Sequence, residues 1–223
     1  LISSPSNPTG TLVPAADMAE IVRTVCELGG VLIVDEIYHG LTYGTPARSA
    51  LYYSADVFVV NSFSKYYGMT GWRAGWLVAP LNFVEAIDRL AQNIFLAAST
   101  PAQHAALAAF RPEVQAELGR RRDEFCARRD YLLPALRTLG FEIPVTPEGA
   151  FYLYADSSRL AADSDDFAQR LLEEAGVAIT PGLDFGLHAP KRHVRFSYAN
   201  TQAQLQEGVC RIAAFLGRPA PGI

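Results

Sequence analysis

Two short apolar runs constrain the fold of this chain more than any other feature. Val31-Leu32-Ile33-Val34 ends at Asp35, and Val57-Phe58-Val59-Val60 ends at Asn61-Ser62. Neither run alternates with polar residues. Each therefore suits a strand buried on both faces, as in a parallel sheet flanked by helices. Ahead of the first run, Met18, Ile21, Val22, Val25 and Leu28 recur at helical spacing, and Gly29-Gly30 gives a stop. Helix and strands joined by short connections read as α/β with a largely parallel sheet. In such sheets ligands sit beyond the carboxyl ends of the strands, which is where Asp35 and Ser62 fall.

Further along, 74–79 reads as another strand. Asn82 is placed to cap a helix to about 96, and Pro101 opens one to about 110. Residues 112–139 are mostly helical, with Pro134 a kink and Gly140 a stop. From Phe141 the pattern changes to a smaller α+β unit. Strands are expected at 150–154, 177–180 and 194–198, with helices at 165–175 and 202–216. Thr201 and Gln204 form a capping box for the last helix. The domain division expected is 1–110 for part of a larger domain, 111–140 for a long connecting helix and 141–223 for a small C-terminal domain. Leu1–Ser3 reads as the end of a buried strand and no initiator methionine precedes it. The chain is thus expected to be the C-terminal part of a longer protein.

Composition narrows the function classes. With 223 residues and a net charge of −4, the chain is not built to hold nucleic acid or an anionic membrane surface. Arg120, Arg121, Arg122, Arg128 and Arg129 alternate with acids and apolar residues, the pattern of a solvated helix face. No apolar run approaches the roughly 20 residues that span a bilayer. Cys26, Cys126 and Cys210 are scattered, which argues for reduced thiols in a cytoplasmic-type compartment and against a disulfide framework or a zinc site.

The chemistry concentrates in NSFSKYYGMTGWRAG, residues 61–75. Lys65 is a poor nucleophile while protonated, and burial or nearby positive potential frees its amine. Arg73 supplies such potential, and its planar fork, with the Ser62 and Ser64 hydroxyls, suits a phosphate or carboxylate. Taken alone, this stretch is equally a polar surface loop. No GxxxxGK[ST] or GxGxxG is present. Ser62-Phe63-Ser64-Lys65 matches S-x-x-K, but the companion S-D-N and K-T-G elements of penicillin-binding enzymes are missing. Asp35, at the end of a buried strand, is either a cap or salt-bridge partner or the counter-charge of a protonated ring nitrogen. Tyr38 can bring a phenol toward the same ring or simply pack. Asn7 lies between Pro5 and Pro8, in a tight turn or with its amide held toward a ligand. Arg195, in the alternating stretch 193–198, faces solvent or clamps a carboxylate.

In order along the chain, SNPTG (6–10), VDEIYHGLTYG (34–44), SFSKYYGMTGWRAGW (62–76), PEGAFYLY (147–154), GVAITPGLDFG (176–186) and VRFSYAN (194–200) resemble fold-type I pyridoxal-phosphate enzymes. The particular resemblance is to the class I/II aminotransferases of the aspartate aminotransferase superfamily, and it runs to about residue 216. It implies a large α/β domain of the PLP-transferase type, incomplete here, and a smaller C-terminal α+β domain. It implies that Lys65 carries pyridoxal 5'-phosphate and shuttles the proton between Cα and C4′. Asp35 would pair with the pyridine nitrogen, and Asn7 and Tyr38 would hydrogen-bond the ring's phenolic oxygen. Ser62, Ser64 and Arg73 would hold the phosphate, and Arg195 the α-carboxylate of the amino acid. The implied reaction is amino transfer from an α-amino acid to a 2-oxo acid, in a homodimer with no metal. A PLP-dependent β-lyase uses the same residues. An aminotransferase-like sensor domain of a transcription regulator is the alternative from another class. The family's N-terminal half, with its phosphate loop and ring-stacking aromatic, has no counterpart in these 223 residues.

Overall fold

The computed structural model describes residues 1–44 and 46–222. The chain divides into two compact units, one of Leu1–Ser6 and Leu12–Arg122, the other of Asn7–Thr11 and Asp123–Ile223.

The first unit holds β1 (Ile2–Ser3), α1 (Ala15–Glu27), β2 (Ile33–Asp35), β3 (Phe58–Ser62), β4 (Gly75–Val78), α2 (Leu81–Ile94) and α3 (Thr100–Ala109). The sheet order is β1-β2-β3-β4. The first three strands are parallel, with Ser3 opposite Asp35 and Asp35 opposite Val60. β4 is antiparallel and sets Gly75 opposite Ser62. Val34 and Val57 are fully buried in a core with Met18, Val22, Leu32, Ala50 and Val59. The first apolar run becomes strand only from Ile33. At Gly30 the backbone is still closing α1, since Gly30 N–H donates to the Val25 carbonyl at 2.8 Å, and Val31 is left exposed. Asn82 caps nothing: it lies inside α2, which starts after Pro80, whose ring sets the entry geometry.

α4 (Pro112–Thr138) carries Pro134 without ending there, and the division between the units falls within it. The second unit adds β5 (Tyr152–Asp156), α5 (Ser164–Ala175), β6 (Thr180–Pro181), β7 (His193–Ser197) and α6 (Gln202–Phe215). Its antiparallel sheet runs β5-β7-β6. Asp163 caps α5 through its carboxylate, and Gly176 ends it at φ 66°. β6 is shorter than the run 177–180 suggests. Val177 N–H is still bonded to the Leu171 carbonyl of α5 at 3.0 Å, so pairing begins only at Thr180. α6 has its reciprocal capping box at Thr201 and Gln204.

Strand alternation sorts this sheet into two faces. Leu153, Ala155, Val194 and Phe196 are buried, and Phe196 meets Phe141 edge-on at 5.1 Å. Tyr152, Tyr154, His193 and Arg195 stand on the other face, where the candidate site of this unit is built.

Candidate active site

In the first unit, the functional side chains gather where β2 and β3 end. Asp35 is the last residue of β2, half-buried, and its Oδ1 accepts from Ile37 N–H at 3.0 Å. The following turn is tight: His39 N–H donates to the Glu36 carbonyl at 2.8 Å and Leu41 N–H to the Tyr38 carbonyl at 2.9 Å. Tyr38 is buried beneath it. Glu36 is buried too, accepting from Ala50 N–H at 2.7 Å through Oε1. His39 sets Nε2 3.1 Å from the Ser4 carbonyl and Nδ1 3.4 Å from Glu36 Oε2. Burial holds the His39 imidazole below its ordinary value, outweighing Glu36, the Ser4 carbonyl and Asp35, which pull upward.

The loop after β3 is laced by its own hydroxyls. Ser62 Oγ lies 2.9 Å from Ser64 Oγ and 3.0 Å from the Ala74 carbonyl, and accepts from Ser64 N–H at 3.0 Å. Thr70 Oγ1 donates to the Ser64 carbonyl at 2.7 Å, and Arg73 Nη1 donates to the Thr70 carbonyl at 3.1 Å. Arg73 takes φ 53° and stays exposed. Lys65 is half-buried in the same loop, its carbonyl accepting from Gly68 N–H at 3.0 Å. Gly75 lets β4 approach closely, because a Cβ there would lie 2.8 Å from the Asn61 carbonyl. Ser62, Ser64, Lys65 and Arg73 thus belong to one hydrogen-bonded loop.

The two loops touch through Gly40 and Tyr66. A Cβ on Gly40 would fall 2.5 to 2.8 Å from three atoms of the Tyr66 ring, and Gly40 has φ +92°. The backbone after Asp35 and Tyr38 is therefore pressed against the neighbour of Lys65. A carboxylate, a phenol, two hydroxyls, a guanidinium and an amine share the carboxyl edge of one sheet. This donor set suits a phosphorylated ring that carries a basic nitrogen and an aldehyde.

The second unit contains Asn7 and Arg195. Gly10 ties the segment 7–11 to the loop before β5: its carbonyl accepts from Glu148 N–H at 3.0 Å and Gly149 N–H at 2.9 Å. A Cβ on Gly10 would lie 2.6 Å from Pro147 Cβ, so SNPTG and PEGAF are complementary at this point. Arg195 Nη1 donates to Asn7 Oδ1 at 2.7 Å, and Nη2 to Thr180 Oγ1 at 3.3 Å. The guanidinium carbon lies 4.2 Å from the Tyr152 ring centre and 4.6 Å from that of Phe185. Its Nε is buried and has no acceptor. No carboxylate among the described residues forms an ion pair with it.

Sequence reasoning picked out Asn7 and Arg195 separately but not their hydrogen bond, and it assigned no role to Thr180 or Phe185. The alternation of β5 and β7 was the available signal for Tyr152. Among the described residues no cluster of His, Cys, Asp and Glu could hold a metal ion, and no helix is long and apolar enough to cross a membrane.

The sequence profile "Aminotransferase class I and II" matches residues 1–212. A valine–pyruvate aminotransferase of Mycobacterium tuberculosis is 42% identical over 219 residues, 97% of this chain and 56% of its own length. An aspartate/prephenate aminotransferase of Thermus thermophilus is 36% identical over 224 residues, 98% of this chain and 56% of its length. Among solved structures, an aminotransferase from Mycobacterium tuberculosis superposes with a TM-score of 0.93 at 41% identity, covering 97% of this chain and 57% of the other. A Silicibacter pomeroyi protein described as a putative aminotransferase superposes at 0.91 with 45% identity, covering 97% and 58%. The chain thus spans little more than half the length of the relatives it matches.

Proposed function

Because the chain belongs to the class I and II aminotransferase family, we propose that it carries the cofactor-binding residues of an enzyme that moves an amino group from an α-amino acid to a 2-oxo acid by a ping-pong mechanism. The observation that carries this reading is the half-buried Lys65 inside the loop of Ser62, Ser64 and Arg73, pressed against the turn after Asp35. Pyridoxal phosphate, which members of this family use, supplies when bound an electron sink for negative charge on the amino acid's Cα.

The chain's own residues do the rest. Asp35 would hold a proton on the ring nitrogen by its negative charge. Ser62, Ser64 and Arg73 would bind the phosphate, Arg73 through Nη2 while Nη1 stays on the Thr70 carbonyl. Tyr38 and Asn7 would be the donors to the phenolic oxygen. Since Asn7 Oδ1 accepts from Arg195, its Nδ2 would be the donating group. Lys65 would hold the cofactor's aldehyde covalently, and its free amine would serve as the base that accepts and returns the substrate's Cα proton. Arg195 takes the substrate carboxylate in the plane of its fork. The same reading assigns 1–110 to the cofactor domain, 111–140 to a connecting helix and 141–223 to the small domain. It makes the protein a cytoplasmic homodimer, in keeping with Cys26, Cys126 and Cys210 being free thiols.

Arg195→Ala tests the substrate half of the proposal. Loss of charge-assisted hydrogen bonds to a carboxylate, about 1.5–3 kcal/mol, should raise KM for the amino donor about 10- to 100-fold. The absorbance of bound cofactor should stay unchanged. An unaltered KM, or loss of the cofactor band, would contradict the assignment.

A further inference from the structure

We propose that Phe185 is a positioning residue that, together with Tyr152, fixes the plane of the Arg195 guanidinium for a substrate carboxylate. The proposal rests on the carboxylate-binding role of Arg195 given above. The guanidinium carbon lies over two rings, 4.2 Å from the centre of Tyr152 and 4.6 Å from that of Phe185. A cation held over two π faces is attracted to both, which restricts its orientation. Asn7 Oδ1 and Thr180 Oγ1 hold two of its nitrogens edge-on, and both are neutral acceptors. With two rings held against its carbon, this arginine is left to meet an anion through the N–H groups of its fork, the approach that a planar carboxylate matches with two parallel hydrogen bonds.

The backbone places Phe185 for this task. It ends a short turn at 182–184, where its N–H donates to the Gly182 carbonyl at 3.0 Å. A Cβ on Gly182 would lie 2.2 Å from the Pro190 carbonyl oxygen and 2.8 Å from that of His193. Only glycine lets this turn close down beside the strand that bears Arg195. The Phe185 ring is steadied by Tyr154, edge-on at 5.9 Å, which is itself stacked on His193 at 4.9 Å. A half-buried phenylalanine braced in this way on a short loop holds a fixed orientation beside the arginine.

The test compares Phe185→Leu, Phe185→Tyr and Arg195→Ala in the holoenzyme. Phe185→Leu keeps apolar bulk and removes the π face. It should raise KM for the amino donor and the inhibition constant of isovalerate, an unreactive carboxylate, about fivefold. Its kcat should stay within about twofold of wild type and its cofactor absorbance unchanged. The Arg195 Nε–H resonance, followed by ¹⁵N NMR, should move or broaden. Phe185→Tyr, which restores the ring, should return all three to near wild type. Unchanged KM, inhibition constant and resonance in Phe185→Leu would overturn the clamp, as would Phe185→Tyr behaving like Phe185→Leu. If Arg195→Ala weakens isovalerate while Phe185→Leu does not, the clamp alone falls. If Arg195→Ala leaves isovalerate binding intact, the carboxylate role falls and takes the clamp with it.

Discussion

Gly40 shows how a single backbone atom can matter at this site. Its φ of +92° and the Tyr66 ring 2.5 Å from any Cβ leave room for hydrogen alone. Gly40→Ala should destabilise the protein by about 1–3 kcal/mol in urea titration, by overpacking and backbone strain together. It should also weaken cofactor binding, because Tyr66 adjoins Lys65. A variant with wild-type midpoint and cofactor affinity would show that the two loops do not depend on this contact. His39 adds a pH dependence at the same turn. Its pKa is lowered in the fold, chiefly by burial. The unfolded chain therefore binds the proton more readily than the folded one, so stability is fully present above the unfolded value of about 6.5 and is lost as pH falls through the lower folded value. Urea midpoints at about pH 8 and pH 5 should differ less in His39→Asn than in the wild type. Equal pH dependence in both would remove His39 from the account.

Among the elements, α2 and β4 stand apart. None of the residues of α2 is buried: Leu81, Leu90 and Ile94 are exposed by 89%, 60% and 73%. Its surface pairs, such as Arg89 with Glu85 at 2.5 Å, add only tenths of a kcal/mol. A helix of 14 residues without a buried face is marginal in water. When these 223 residues are produced alone, hydrogen exchange in α2 should be among the fastest of the helices, while β2 and β3, around Val34 and Val59, exchange slowly. Protection of α2 equal to that of β2 would contradict this. Elements of this kind were legible in the sequence because their signals are local. The runs ending at Asp35 and Ser62, the stop at Gly140 and the capping box at Thr201 each lie within a few residues. The antiparallel pairing of β4 and the shortness of β6 were not legible, since both depend on which strand or helix end offers the partner hydrogen bond.

Across the whole chain, the candidate residues were nameable from ordered motifs, but their contacts were not. Asn7 and Arg195 are 188 positions apart, and no local pattern predicts that one amide oxygen will accept from that guanidinium. Gly40 against Tyr66 and Phe185 over Arg195 were hidden in the same way, because they arise when loops close on each other and not from periodicity. The account as a whole depends on one amine. The lysines of the chain are Lys65 and Lys191, and Lys191 lies at the surface, paired with Asp163 at 3.0 Å. This makes a direct measurement possible. The holoenzyme is reduced with borohydride, which fixes a lysine-bound aldehyde as a stable secondary amine. It is then digested, and the modified peptide is sequenced by mass spectrometry. The account predicts a phosphopyridoxyl group on Lys65 and none on Lys191. A label absent from the peptide containing Ser64-Lys65-Tyr66, or found at Lys191 instead, would contradict it.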